Sequence, residues 1–307
     1  MSGSRPRAFC ARLARAAIPA APFLWLSALF LLPFVIVLKI SLSDPASAQP
    51  PYEPLFNAQS WRTAREFFAD LDVENYVTVF GDDLYVQAAL SSVRIALLST
   101  LLLLLVGFPV ALAMARVRPE RRTLLLALVI LPFWTSFLIR VYAWIVILKP
   151  EGLLNGALQN LGLIEDPIAI LNTEAAVLLG LVYTYLPFMV LPLYAALERL
   201  DPTLLEAAQD LGSPPTRAFW TVTLPLSLPG VVAGSLLCFI PIVGEFVVPD
   251  LLGGSETLMI GRTLWSEFFS NRDWPLAATV AVVLLVVLVV PIVIYRDMEA
   301  RRLEAGR

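Results

Sequence analysis

Long apolar runs, separated by short polar connections, dominate the chain. Six runs are each about 20 residues long or longer. A helix of about 20 residues crosses a bilayer core ~30 Å thick, because it rises ~1.5 Å per residue. The six runs lie at residues 18–42, 93–115, 123–148, 174–197, 228–248 and 276–295. The pattern predicts an all-α integral membrane protein with six transmembrane helices.

The first run has a second interpretation as a cleaved signal peptide, because Ala46-Ser47-Ala48 follows it and has the small residues of a cleavage site. The apolar core of a signal peptide is only ~7–15 residues long, however. The run at 18–42 is longer than that, which favours an uncleaved span.

Arginine is concentrated at the chain ends and in the connections after the second and fourth runs. These residues are Arg5, Arg7, Arg12, Arg15, Arg116, Arg118, Arg121, Arg122, Arg199, Arg217, Arg296, Arg301, Arg302 and Arg307. Since short cytoplasmic loops carry an excess of Lys and Arg, both termini are predicted to be cytoplasmic. The predicted organisation is a cytoplasmic tail at 1–17, one six-helix transmembrane domain at 18–295 and a second cytoplasmic tail at 296–307. The outer connections are then 43–92, 149–173 and 249–275.

Composition agrees with a membrane protein and excludes several classes of site. The chain is 58% hydrophobic and 15% charged, whereas about a quarter of the residues of a soluble domain are charged. It has no histidine, which removes the commonest metal ligand and general base. Cys10 lies in a basic segment and Cys238 in an apolar run, so neither a disulfide nor a metal site is expected. The sequence has no basic face with interleaved aromatic residues, so nothing in it indicates nucleic-acid binding.

The connection after the fourth run contains strong helix-boundary residues. Asp201 is a good N-cap, Pro202 suits the first helical position, and Gly212 suits the position after the helix end. Pro214 and Pro215 then prevent continuation of the helix. We predict a short helix at about 202–211, outside the membrane. By itself this pattern fits a simple surface helix as well as a docking element.

The same connection resembles the EAA loop of binding-protein-dependent ABC importer permeases. The resemblance rests on Glu206-Ala207-Ala208, on Gly212 four residues later, and on Leu224-Pro225 after a further gap. Val222 stands where the family pattern has isoleucine. The resemblance implies a cytoplasmic coupling helix between spans 4 and 5, which docks in a groove of an ATP-binding subunit and transmits its closure.

The resemblance implies a coupling role for the residues that match this motif. They are Glu206, Ala207, Ala208 and Gly212, and Asp210 is added by its position beside them.

ATP hydrolysis is not expected in this chain. A P-loop needs Gly-Lys followed by Ser or Thr, and the only lysines, Lys39 and Lys149, each follow a leucine. We therefore expect no catalytic residues, no metal site and no cofactor here. ATP and Mg²⁺ would bind the partner subunits, and a membrane enzyme is the least supported alternative.

Longer stretches resemble the permeases of polyamine importers, most closely the putrescine permease that pairs with a second, different permease. The matching stretches are WTSFLIRVYAW at 134–144, YLPFM at 185–189, GEFVVPDLLGG at 244–254, MIGR at 259–262 and NRDWP at 271–275. The likeness extends over nearly all of the chain. It implies a subunit of the bacterial inner membrane that works with a second permease, two ATP-binding subunits, a periplasmic solute-binding protein and a polyamine substrate.

Candidate residues for a polycation path are acids and aromatic rings. Glu245 lies in the fifth run after Pro241 and Gly244, which can interrupt the helix. An intramembrane carboxylate is costly unless it faces a cavity or a partner, so Glu245 either lines the path or pairs with a residue such as Arg140 or one on the second permease. Asp250 is a candidate acid at the outer mouth. Cation–π contacts are possible at Trp134, Tyr142, Trp144, Tyr183 and Tyr185, and ordinary packing or interface anchoring is the alternative for each ring.

Two other kinds of transporter stay open at this point. An ABC importer of sulfate, phosphate, iron or thiamine would share the coupling loop, although an anion path favours a basic or helix-N-terminal lining over Glu245. A stand-alone secondary transporter would leave Glu206 dispensable, and such proteins often have two matching halves, which this sequence lacks.

Overall fold

The computed structural model describes residues 5–55, 71–254 and 257–305, and most of them are helical. Parts of the predicted connections at 43–92 and 249–275 and of both predicted tails lie outside these residues. The helices are α1 (Arg5–Ser41), α2 (Glu74–Gly81), α3 (Asp83–Arg116), α4 (Pro119–Ile130), α5 (Phe137–Leu148), α6 (Leu153–Asn160), α7 (Glu174–Glu198), α8 (Pro202–Asp210), α9 (Pro215–Ala218), α10 (Leu224–Val243), α11 (Val247–Leu252), α12 (Ile260–Trp265) and α13 (Trp274–Ala305). Two π-helical turns occupy Phe219–Thr223 and Ser266–Asn271.

Four of the predicted spans coincide with helices that are long and apolar enough to cross a membrane. Among the described residues these are Pro22–Ser41, Asp83–Arg116, Glu174–Glu198 and Pro215–Val243. In the sixth predicted run the apolar helix covers the shorter stretch Trp274–Val289. The structure thus supports four spans, or five if the bent pair described next is one span; six spans and the orientation of the termini stay predictions.

The third predicted span, at 123–148, is wrong as a single continuous helix. Helix α4 ends at Ile130, a 3₁₀ turn covers Leu131–Trp134, and α5 begins at Phe137. The segments Pro119–Trp134 and Phe137–Asn160 are bent by 87° relative to each other. Pro132 has no N–H for a helical hydrogen bond, and Thr135 and Ser136 have ψ angles of 152° and 137°. The helix direction therefore changes at this point.

The unit Asp83–Trp265 has its core where α3, α7 and α10 pack together. Met189 of α7 is completely buried between two glycines. A Cβ on Gly107 of α3 would lie 2.9 Å from its Cγ, and a Cβ on Gly234 of α10 would lie 2.9 Å from its sulfur. Small residues at these two positions allow the helices to approach closely, as is common between membrane helices.

The second unit comprises the described residues of Met1–Asp82 and Ser266–Arg307. Its two-stranded antiparallel hairpin, β1 (Asp44–Pro45) and β2 (Tyr52–Glu53), is a small exception to the predicted all-α class. Thr279 of α13 donates its hydroxyl to the carbonyl of Ser41, 3.0 Å away, at the end of α1. The Ser41 and Tyr76 hydroxyls are 2.7 Å apart. These bonds hold α1, α2 and α13 together at one end of the unit.

Candidate functional site

The predicted helix after the fourth run is present as α8, from Pro202 to Asp210. The Asp201 carboxylate accepts a hydrogen bond of 3.0 Å from the Thr203 backbone N–H, as an N-cap should. That bond lowers the pKa of Asp201 below its ordinary value near 3.8. The cap is therefore charged at neutral pH and weakens only as the pH falls through that lowered pKa. Gly212 ends the helix with φ at +82°, a conformation that glycine adopts without strain.

Helix α8 presents the predicted coupling residues on its surface. Glu206, Ala207 and Asp210 are exposed and Ala208 is half-buried. Within the described residues the Glu206 side chain forms no hydrogen bond or ion pair, so nothing in this unit requires its charge. The face is accessible to another chain, which agrees with the predicted role without testing it.

The carboxylate of Glu245 lies at a break in the predicted fifth span. Helix α10 ends at Val243, five residues before the predicted end of the run, and α11 begins at Val247. The Tyr185 O–H donates to Glu245 Oε2 at 2.7 Å, and the Val247 N–H donates to Oε1 at 3.0 Å. Glu245 therefore caps α11 and connects it to α7. This arrangement confirms the expected helix interruption and brings two predicted residues, Tyr185 and Glu245, together.

Arg140 is not the partner of Glu245. Its guanidinium carbon lies 5.2 Å from the centre of the Phe133 ring and 5.9 Å from that of Phe137. Among the described residues its buried Nε has no hydrogen-bond partner.

An aromatic row extends from Phe133 toward Glu245. The Phe133 and Phe188 ring centres are 5.2 Å apart, and those of Phe188 and Tyr185 are 6.0 Å apart. Tyr185 is 8% exposed and Phe188 is 40% exposed. Tyr185, whose hydroxyl bonds to Glu245, thus forms a row with Phe188 and Phe133, and the exposed Phe188 ring offers apolar surface to a flexible cation with an apolar chain.

Among the described residues, the remaining predicted residues form no hydrogen bond or ring contact with Tyr185 or Glu245. Asp250 forms an ion pair of 3.1 Å with Arg262, whose guanidinium also donates to the Gly254 carbonyl at 3.2 Å. The charge of Asp250 is therefore compensated. Trp134 is 82% exposed and Tyr142 is 54% exposed, and neither has a ring contact with Tyr185 within the described part of the chain. The Trp144 and Tyr183 rings pack edge to face, 5.5 Å apart.

Comparison with known proteins identifies the family. Residues 107–301 match the model of the binding-protein-dependent transport system inner membrane component. The chain belongs to this family. It is a multi-pass inner-membrane permease subunit of an ABC importer.

Two relatives have closely similar sequences. The permease is 42% identical over 274 residues to the spermidine/putrescine transport system permease protein PotB of Haemophilus influenzae, covering 89% of this chain and 90% of that one. It is 43% identical over 223 residues to PotB of Escherichia coli, covering 73% and 81%.

A solved structure has the same fold. It is that of a bacterial alginate ABC transporter in complex with an alginate pentasaccharide-bound periplasmic protein. The match covers 98% of each chain, with a TM-score of 0.69 and 18% identity. At that identity the likeness concerns the fold alone.

Gly261 was noted only within the MIGR stretch and was given no role, whereas the structure places it against the Glu245 segment. A Cβ at this position would lie 2.4 Å from the Gly244 carbonyl oxygen and 2.7 Å from that of Glu245. Phe133 and Phe188 were quoted only within resembling stretches or beside them, without a role. No local pattern marks these three residues, because their significance depends on packing against distant parts of the permease.

Replacing Gly261 with alanine should displace the Gly244–Glu245 segment and reduce uptake of the permease's solute. Backbone oxygens cannot move away as a flexible side chain can, and overpacking of this kind costs about 1–3 kcal/mol. The measurement is solute uptake at matched permease levels in the membrane. Gly156→Ala in α6 is the matched control, because a Cβ there meets nothing within 4 Å. Equal uptake by the two variants would contradict the supporting role of Gly261.

Proposed function

We propose that the permease carries a polyamine of the putrescine or spermidine class into the cell, as one subunit of an ATP-driven importer. The observation that carries this proposal is the Glu245 carboxylate at the α10–α11 break, held by Tyr185, whose ring packs against Phe188. The spermidine/putrescine names of the two PotB relatives support the same substrate class.

The chemistry of the Glu245 cluster favours a cation over an anion. A carboxylate at the level of the membrane is costly and is typical of a residue with a functional partner. Tyr185 donates a hydrogen bond to one carboxylate oxygen of Glu245 and Val247 donates one to the other. Each oxygen keeps a further lone pair that can accept a hydrogen bond. An ammonium group supplies such donors, while the exposed ring of Phe188 suits the methylene chain of a polyamine.

The proposed complex contains further subunits. A second permease would complete the path, and two ATP-binding subunits would bind ATP and Mg²⁺ and dock against the exposed face of α8. A periplasmic solute-binding protein would deliver the polyamine to the outer connections. In this scheme the permease conducts the solute and couples its movement to ATPase closure, without a catalytic site of its own.

The test is uptake of labelled putrescine by cells that contain the complete transporter, with and without this permease. Uptake should require the permease and should be inhibited by excess spermidine and by unlabelled putrescine, with the stronger competitor naming the preferred polyamine. Excess sulfate should have no effect. Restoring the wild-type gene is the control for indirect effects of the deletion.

Two results would count against the proposal. Unchanged putrescine uptake after deletion would refute the polyamine assignment, while α8 and the family would still indicate an ABC importer of another solute. Inhibition by sulfate as strong as that by spermidine would indicate an anion path.

A further inference from the structure

A cavity lies beside α8, away from Glu245. Its volume is about 450 Å³, within the usual range of small-molecule sites. Three elements contribute to it: the end of α3, the helix α8 and the segment from α9 through the π-helical turn. Its lining is Leu112, Arg116, Leu205, Gln209, Pro215, Thr216, Ala218, Phe219, Trp220 and Thr223.

Thr223, at the end of the π-helical turn, lines this cavity and has a buried hydroxyl without a hydrogen-bond partner among the described residues. The residue is 1% exposed, and its Oγ1 has no hydrogen-bond partner among the described residues. A buried hydroxyl without a partner costs ~1–3 kcal/mol. A ligand oxygen placed in the cavity would recover part of that cost. π-Helical turns are also frequent at functional sites.

Arg116 gives the cavity a positive charge without a compensating acid. It is the last residue of α3 and is exposed. Within the described part of the chain it forms no ion pair, whereas the nearby Arg122 pairs with Glu198 at 3.0 Å. A guanidinium suits the oxygens of a phosphate group, which it can bind through two parallel hydrogen bonds.

Trp220 and the apolar lining indicate that the phosphate belongs to a lipid. Trp220 is 66% exposed at the cavity and packs edge to face on Phe219, 5.4 Å away. Tryptophan is enriched at the membrane–water interface, and Arg116 ends an apolar helix of 34 residues. Leu112, one turn earlier in α3, provides apolar surface for the start of an acyl chain.

We propose that this cavity binds the phosphate of an anionic phospholipid headgroup through Arg116 and Thr223, with Trp220 at its edge. Gln209 and Leu205 of the coupling helix line the same cavity. A bound lipid therefore contacts both α8 and α3 and stabilises their packing. The proposed binding site is argued from this geometry alone. Only an effect of the bound lipid on transport would rest on the proposed coupling role of α8.

The test is a titration of the purified complete transporter with phosphatidylglycerol, followed by native mass spectrometry. Arg116→Gln should weaken binding of one lipid about tenfold, because a hydrogen bond to a charged group is lost. Thr223→Val should weaken it less and should not destabilise the protein, since it removes an unpartnered hydroxyl at nearly constant volume. Phosphatidylcholine should bind more weakly than phosphatidylglycerol.

Arg121→Gln is the matched control, because Arg121 is an exposed arginine of the same connection and does not line the cavity. Equal weakening by Arg121→Gln would reveal general charge attraction and overturn the site. Unchanged binding in both Arg116→Gln and Thr223→Val would do the same. Displacement of the lipid by inorganic phosphate would assign the cavity to a free anion. None of these measurements uses polyamine or ATP, so a failed polyamine assignment would leave their interpretation intact.

Discussion

Replacing Glu206 with lysine is expected to reduce ATP-driven uptake at least about tenfold while the permease still inserts in the membrane. Glu206 is exposed in the middle of α8. Lysine and glutamate have similar helix propensities, and exposed substitutions usually change stability by no more than ~0.5 kcal/mol. The effect should therefore come from the lost contact with the ATP-binding subunit, for which tenfold is equivalent to ~1.4 kcal/mol.

Three measurements decide the Glu206 prediction: labelled-solute uptake, the amount of permease in the membrane, and copurification of the ATP-binding subunits. Glu120→Lys is the matched charge reversal, because Glu120 is also an exposed acid on the predicted cytoplasmic side. It should leave uptake close to that of the wild type. Unimpaired transport by Glu206→Lys would refute the coupling role of this residue.

Replacing Glu245 with glutamine should lower polyamine uptake by roughly tenfold to a hundredfold at low substrate concentration. The reason is the loss of a hydrogen bond between the substrate and a charged group, and such a bond contributes ~1.5–3 kcal/mol. Glutamine keeps a carbonyl oxygen for the Val247 N–H, and its amide can donate to the Tyr185 oxygen. The substitution therefore removes the charge and preserves the local hydrogen bonds. Uptake of labelled putrescine and spermidine over a range of concentrations measures the effect.

This design separates substrate binding from a purely structural role. If Glu245 only caps α11, Glu245→Gln should transport normally and Glu245→Ala should be impaired. Asp250→Asn is the comparison within the same segment, and we expect a smaller effect there because Asp250 is paired with Arg262. Normal uptake by Glu245→Gln would remove the main structural support for a polycation path through this cluster.

Helix α8 was predictable almost to the residue because its boundaries depend on local interactions. Asp201 bonds to Thr203 two residues away, and Gly212 needs only its own backbone freedom. The apolar runs were also predictable, because the thickness of the bilayer core sets how many consecutive apolar residues a spanning helix needs. The bend at Pro132 was missed because the run at 123–148 is apolar over most of its length, and hydropathy does not report helix direction.

The sequence by itself determined the membrane class, most of the spans, the bounds of α8 and the absence of a P-loop, all of which follow from residues close together in the chain. Only the tertiary structure decided that Tyr185, not Arg140, holds Glu245, that Arg262 compensates Asp250, and that Thr223 and Arg116 share a cavity. Tyr185 and Glu245 are 60 residues apart in the chain. Which side chains meet over such separations depends on how whole helices pack, and packing is set by many small contacts together, such as the glycines around Met189.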